Sequence, residues 1–305
     1  MRAGWLALLL WGVAAGASGA SPAAGETVQL YVMPDTQAWA WNQGGTSLEA
    51  WHETARALCA ARERFRMVLH TGDLVDRPRQ RPSEWDNARA VMQTLDGCDL
   101  PYALAFGNHD FDNYPPPKGA PLAGDRSWKA LRAQLAPQPL VASPSGRSGL
   151  FPLAADWFVL VGDFSAGEPD LAWIRAAIEA RPDARFVFLN HQCVKQDGIA
   201  GERCAVFFER HAAIRVAVGG HWLGRRREGW RRIERAGGPP LVVLYQNYQH
   251  VPELAAWGVV VELDVATGAI CVWTENLVSG ETERPAVSSP ELGSILAGPA
   301  RRCFD

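Results

Sequence analysis

The sequence predicts an α/β fold whose leading part is built on parallel strands, and three observations carry that prediction. Short apolar runs rich in Val, Leu and Ile alternate with segments of helical periodicity, the order expected of strands joined by crossover helices. Polar residues able to do chemistry stand immediately after these runs. Beyond residue 240 the apolar runs follow one another without helices between them, so the closing part turns antiparallel.

Taken in order, residues 27–33 read as a first strand and residues 47–64 as a helix with Leu48, Trp51, Ala55 and Leu58 along one face. Residues 66–70 form a second strand, and Ser83 opens, as N-cap, a helix running to about Leu95. Residues 101–106 make a third strand. Residues 111–147, with Pro115, Pro116 and Pro117, are a long connection in which residues 127–135 alone look helical; such connections are usually functional. A strand at 157–161, a helix at 169–180 with Pro169 in its first turn, and strands at 185–189 and 214–218 follow. Strands at 241–247, 257–264 and 269–273 close the chain.

The 305 residues begin with Arg2, an apolar run from Trp5 to Val13 and small residues ending at Ala20, the pattern of a secretory signal over residues 1–20. That run is shorter than the about 20 apolar residues a bilayer span needs. A domain over residues 26–280 and a tail over 281–305 are expected, in a secreted or periplasmic protein with no membrane span. Hydrophobic content of 48% with 21% charged residues is globular, and a net charge of −3 gives no global basicity to attract nucleic acid or anionic membrane. An even number of cysteines in an exported chain favours disulfides. Sequence order suggests Cys59–Cys98, Cys193–Cys204 and Cys271–Cys303, the last tying down the tail, as one connectivity among several.

The polar groups that follow the strands are Asp35-Thr-Gln37, Gly72-Asp73-Leu-Val-Asp76, Gly107-Asn108-His109-Asp110, Asn190-His191 and Gly220-His221. In an open α/β sheet the carboxyl ends of the strands converge on one edge, so these residues can meet although they are far apart in sequence. Hard oxygen donors with imidazoles suggest divalent metals. Taken alone, Gln37 and Asp76 have a simpler use as hydrogen-bonding loop residues. The arginines at 225–227 and 231–235 could hold a second phosphate or a nucleotide with Trp230 stacked on a base, or could form a solvated loop.

These blocks, in this order, resemble the calcineurin-like metallophosphoesterase superfamily, over Val28 to about Leu263. The resemblance implies a sandwich of two mixed β-sheets flanked by helices. It further implies two divalent ions (Mn, Fe, Zn, Mg or Ca), one on Asp73, Asn108, His191 and His221, the other on Asp35, Gln37 and the bridging Asp73. His109 resembles the family's histidine that contacts the scissile phosphate, with Asp110 placed to orient it; Asn108, His109 and Arg225 would bind substrate. The implied reaction is hydrolysis of a small-molecule phosphomonoester or phosphodiester by metal-bound hydroxide. Position 223 departs from the pattern: Leu223 stands where the superfamily has a second histidine, as in exported bacterial-type members with GHxLG. The other metal then keeps oxygen donors only, with Asp76 as a candidate fourth, so an asymmetric pair is expected, with the second site weak. Two rival readings are a nuclease or nucleotide phosphodiesterase using the basic run, and a non-catalytic ligand-binding descendant with a depleted metal site.

Overall fold

A computed structural model describes residues 26–42, 47–223, 227–251, 254, 256–284, 287–289, 293–295 and 300–304; the signal segment 1–20 and Arg225 lie outside the described residues. The elements are β1 (Thr27–Met33), α1 (Gln37–Ala40), α2 (Ser47–Ala60), β2 (Phe65–His70), α3 (Ser83–Asp96), β3 (Tyr102–Leu104), α4 (Arg126–Arg132), β4 (Val141–Ala142), β5 (Gly149–Ala154) and β6 (Trp157–Val161). They continue with α5 (Glu168–Glu179), β7 (Arg185–Leu189), β8 (Val194–Lys195), β9 (Gly198–Ile199), α6 (Glu202–Arg210), β10 (Ile214–Gly219), β11 (Glu228–Arg235), β12 (Gly238–Gln246), β13 (Trp257–Asp264) and β14 (Ile270–Asn276), then β15 (Val287–Ser289), β16 (Gly293–Ile295) and β17 (Arg302–Phe304).

Two mixed sheets stack, one ordered β17-β14-β13-β1-β2-β3 and the other β11-β12-β10-β7-β6-β5-β4. Strand alternation explains why both are buried on two faces. In β1, Leu30 and Val32 point into the layer between the sheets, with Leu69 of β2, Val187 and Leu189 of β7, and Val216 and Val218 of β10. Tyr31 and Met33 point the other way, onto Trp51, Ala55 and Leu58 of α2 and Val91 and Leu95 of α3. Phe186, Phe188 and Ala217 of the second sheet pack on Leu171 and Ile174 of α5 and Phe207 and Phe208 of α6. Each such large apolar side chain contributes about 1.5–3 kcal/mol by its burial. β1, β2 and β3 run parallel, as do β6, β7, β10 and β12. Their carboxyl ends are therefore shared edges, and every candidate ligand follows one of them.

Several elements differ from the sequence expectations. Ser83 is the first residue of α3, with Pro82 before it and no side-chain cap; Glu84 organises the start instead, its Oε2 accepting from the backbone N–H of Asp76 and Arg77 at 2.7 and 2.9 Å. β5, β11 and α6 are additional to the elements the sequence predicts. β11 has charged residues at five of its eight positions, the others being Gly229, Trp230 and Ile233, yet it is a strand because β12 supplies an antiparallel ladder at the sheet edge, where Arg231, Arg232 and Glu234 face water.

The three disulfides join Cys59 to Cys98, Cys193 to Cys204 and Cys271 to Cys303. With no described helix long and apolar enough to cross a membrane, this is compatible with a secreted or periplasmic protein. The first ties the end of α2 to the turn after α3 across 39 residues of sequence. Replacing both Cys59 and Cys98 with Ser is expected to cost about 3–4 kcal/mol, read from urea unfolding, because loop-closure entropy returns to the unfolded chain. Just past residue 280, Arg284 is fully buried and its guanidinium donates to both oxygens of Glu228 at 2.7 and 3.0 Å.

Candidate metal centre

The turn after β2 builds the middle of the site. Gly72 takes φ +103° and Asp73 φ +50°, a left-handed pair that Gly accepts freely and Asp better than most residues. Gly107 passes so close that a Cβ there would lie 2.1 Å from Asp73 Oδ1, which lets the His109 N–H donate to that oxygen at 2.8 Å. The other oxygen, Oδ2, stands 3.1 Å from His191 Nε2.

His191 reaches the centre from the end of β7. Its Nδ1–H donates to the Thr71 carbonyl at 2.9 Å, so Nε2 is the nitrogen that faces the other donors. Asn190 shapes this turn, its Oδ1 accepting from the N–H of Gln192 and Cys193 while its Nδ2 donates to the Gly162 carbonyl. Asn108 Oδ1 and His221 Nδ1 each lie 3.1 Å from the same Nε2. Among the described residues, Asp73, His191 and His221 are the group of His, Cys and carboxylate donors close enough to share an ion. Ligands on bonds of roughly 2.1 Å sit about 3 Å apart or a little more, so each of these separations from His191 Nε2 suits a shared divalent cation.

Electrostatics fit the same occupant. Burial opposes charge on His191, yet Asp73 and Asp35 push its pKa up to about 10; a proton occupies the place of a cation. Burial likewise opposes the Asp73 carboxylate, and the neighbouring His191 and His109 hold its pKa well below the usual range. Burial and the His191 charge bring His221 down to about 4, leaving its nitrogen free to ligate.

Asp35 and Gln37 lie at the end of β1. Thr71 Oγ1 donates to Asp35 Oδ1 at 2.6 Å, while the His221 N–H and Asn247 Nδ2 donate to Oδ2 at 2.7 and 2.9 Å. A Cβ on Gly220 would fall 2.0 Å from Asp35 Oδ1, so only Gly permits this approach. Gln37 Nε2 donates to Asp73 Oδ2 at 3.2 Å and its Oε1 is buried without a partner, an acceptor aimed at nothing in the protein. Three of the roughly four lone-pair sites on Asp35 are thus taken, and Leu223 is half exposed. The donors on this side are fewer and busier than those around His191.

A family model for calcineurin-like phosphoesterases matches residues 30–225. The chain belongs to this family. A purple acid phosphatase from yellow lupin (Lupinus luteus) seeds superposes with a TM-score of 0.56 at 12% identity, over 85% of this chain and 53% of the lupin chain, so this chain spans about half that relative's length. A dimetal phosphatase from Danio rerio gives a TM-score of 0.53 at 15% identity, over 84% of this chain and 98% of that one. At these identities the likeness is one of fold. Comparison with curated proteins gives no match.

In this member of the family the histidine beside the centre is held differently from expectation. His109 Nδ1 donates to the Asp76 carbonyl at 2.9 Å and lies 3.2 Å from the Asp76 carboxylate, leaving Nε2 turned toward Asp73, 4.0 Å away. Asp76 is therefore the partner of His109, and its Oδ2 is in turn held by Arg81 at 2.5 Å. Asp110, expected to orient His109, instead accepts from the N–H of Leu74 and Gly107, both at 2.8 Å, and so ties the two loops together. Its chain neighbour, His109, already points away across the turn, which sequence adjacency could not reveal. Burial and the Asp73 charge push Asp110 up to about 7. Thr71 and Asn247 support the centre and were not singled out as such; Asn247, in the Asn-Tyr-Gln stretch after β12, gave the one available signal. His70 is structural: the Gly72 N–H donates to its Nδ1 at 3.1 Å, so Nε2 carries the proton toward Thr36 Oγ1.

The basic run is largely consumed by the fold. Arg235 donates to the carbonyls of Phe208, His211, Ala212 and Ile214, Arg231 to that of Asp197, and Arg232 pairs with Glu234. Arg227 is buried, and Trp230 packs partly into the layer between the sheets.

Proposed function

We propose that this protein is a metal-dependent phosphoester hydrolase acting outside the cytoplasm on small-molecule phosphomonoesters or phosphodiesters. The observation that carries this reading is the set of donors at 3.1 Å around His191 Nε2, with the Nε2 edge of His109 beside it. Asp73, Asn108, His191 and His221 would hold one divalent ion, and Asp35, Gln37 and Asp73 a second, weaker one. Ions bound there supply an activated water and offset the negative charge that grows on the phosphoryl oxygens. Asn108 and His109 face the phosphoryl group. His109 Nδ1 is fixed by Asp76, which directs the Nε2 proton toward the leaving-group oxygen. A nuclease reading has little support from Arg227, Arg231, Arg232 and Arg235, the described arginines of the basic run, which are paired or buried.

The test strips the purified mature protein with chelator and restores Mn, Fe, Zn, Mg or Ca singly, with an aryl monoester, an aryl diester and a cyclic nucleotide as substrates. Turnover with at least one metal is expected, with one ion retained through dialysis and a second lost. No hydrolysis with any metal would overturn the proposal in favour of a binding protein.

A further inference from the structure

The connection after His109 is a clamped loop. The Asp112 N–H donates to the Gly124 carbonyl and the Asn113 N–H to that of Ala123, at 3.1 and 3.2 Å. Asn113 returns both side-chain groups, Oδ1 accepting from Ala123 N–H at 2.7 Å and Nδ2 donating to the Pro121 carbonyl at 2.8 Å. Asp112 caps the start of α4 through Arg126 N–H and Ser127 N–H at 2.8 and 3.0 Å. A neck so tied fixes what the loop presents to the metal centre.

It presents apolar surface. The Tyr114 ring stacks on His109 with centroids 3.9 Å apart and planes at 36°. Leu122, 36% exposed, lines a cleft of roughly 80 Å³ with Phe106 and Phe111, whose floor holds Asn108 and His191. The cations nearest His109 are committed, Arg81 and Arg77 both pairing with Asp76. Asp163, also in the cleft, is paired with Arg147 at 3.0 Å. Lys118 is the loop's one basic residue and sits at its exposed tip. A partly exposed aromatic ring stacked on His109, beside charges already committed to one another, is a place for an uncharged group.

We propose, building on the hydrolase reading above, that the Tyr114 ring stacked on His109 forms a leaving-group subsite, and that the preferred substrates are phosphoesters of uncharged aromatic or otherwise apolar alcohols. The phosphoryl group lies at the donors around His191, and the ester oxygen at His109. In the reaction, water oxygen bonds to phosphorus and its proton passes to solvent. The bond from phosphorus to the ester oxygen breaks, the electron pair stays on that oxygen, and the oxygen takes the His109 proton. The alcohol so released is the part that rests on the Tyr114 ring. Tyr114 is thus a specificity residue.

The test uses the metal-loaded full-length mature protein and two aryl phosphates of matched leaving-group acidity, naphthyl and carboxyphenyl. An aromatic contact of this kind predicts about a tenfold higher kcat/KM for naphthyl, expressed mainly in KM. Tyr114→Ala should remove that preference and Tyr114→Phe should keep it. Calorimetric binding of phenylphosphonate against methylphosphonate, which needs no turnover, should show the same tenfold preference and the same loss in Tyr114→Ala. Hydrolysis without preference, or a preference that survives Tyr114→Ala, overturns the subsite while leaving the hydrolase reading intact. Phosphonate selectivity that depends on Tyr114 in a protein that hydrolyses nothing keeps the subsite and removes the hydrolase reading.

Discussion

Asp73→Asn is expected to lose bound metal and at least about a thousandfold of kcat/KM together. The carboxylate touches both halves of the centre: Oδ2 is 3.1 Å from His191 Nε2 and 3.2 Å from Gln37 Nε2, and Oδ1 accepts the His109 N–H. An amide keeps the shape and the hydrogen bond from His109 but removes the negative charge that two cations would share. Asn is also suited to the left-handed φ of +50° at this position, so the fold should survive and the loss can be read as a loss of the site. Metal content by elemental analysis, steady-state rates and a thermal melt on one preparation check this. A variant that binds metal as the parent does would remove Asp73 from the centre.

The second large effect falls on proton transfer. His109→Ala should lower kcat by about 10² to 10⁴ while metal content is unchanged, since the imidazole is not among the donors around His191. Burial opposes the charge on His109, but Asp73 and Asp76 push its pKa up to about 9, so it is the protonated form that is present near neutrality. Once cations sit on Asp73, Asp76 is the anion left to hold that proton. Asp76→Asn removes it, the His109 pKa falls, and the alkaline limb of the kcat profile moves to lower pH. Asp110→Asn, lacking contact with the ring, should instead lower the melting temperature through the Leu74 and Gly107 amides and leave the limb in place. A shifted limb in Asp110→Asn with none in Asp76→Asn would reverse the two roles.

The comparison of these two aspartates shows where sequence reading stops. Both stand three residues or fewer from a key group, and in the chain Asp110 is the nearer to His109. Side-chain direction in tight turns decides the matter, and two loops from different strands must be placed before it is known. The same limit applies to β11, whose arginines read as a loop or an anion site until β12 and the carbonyls around Arg235 account for them.

The features legible in the amino-acid order are local ones. Short apolar runs marked the strands that carry the site, β1, β2, β3, β7 and β10, and the turn residues Asp35, Asp73, Asn108, His191 and His221 marked their ends, because apolar runs and turn chemistry are properties of short segments. Cysteine order also matched the three bridges. Only the tertiary structure decided which donors share a point in space, that Asp35 is already occupied by Thr71, His221 and Asn247, and that Tyr114 returns to lie on His109. Those are contacts between segments up to 212 positions apart, set by the stacking of two sheets and the clamping of a loop rather than by any neighbour in the chain.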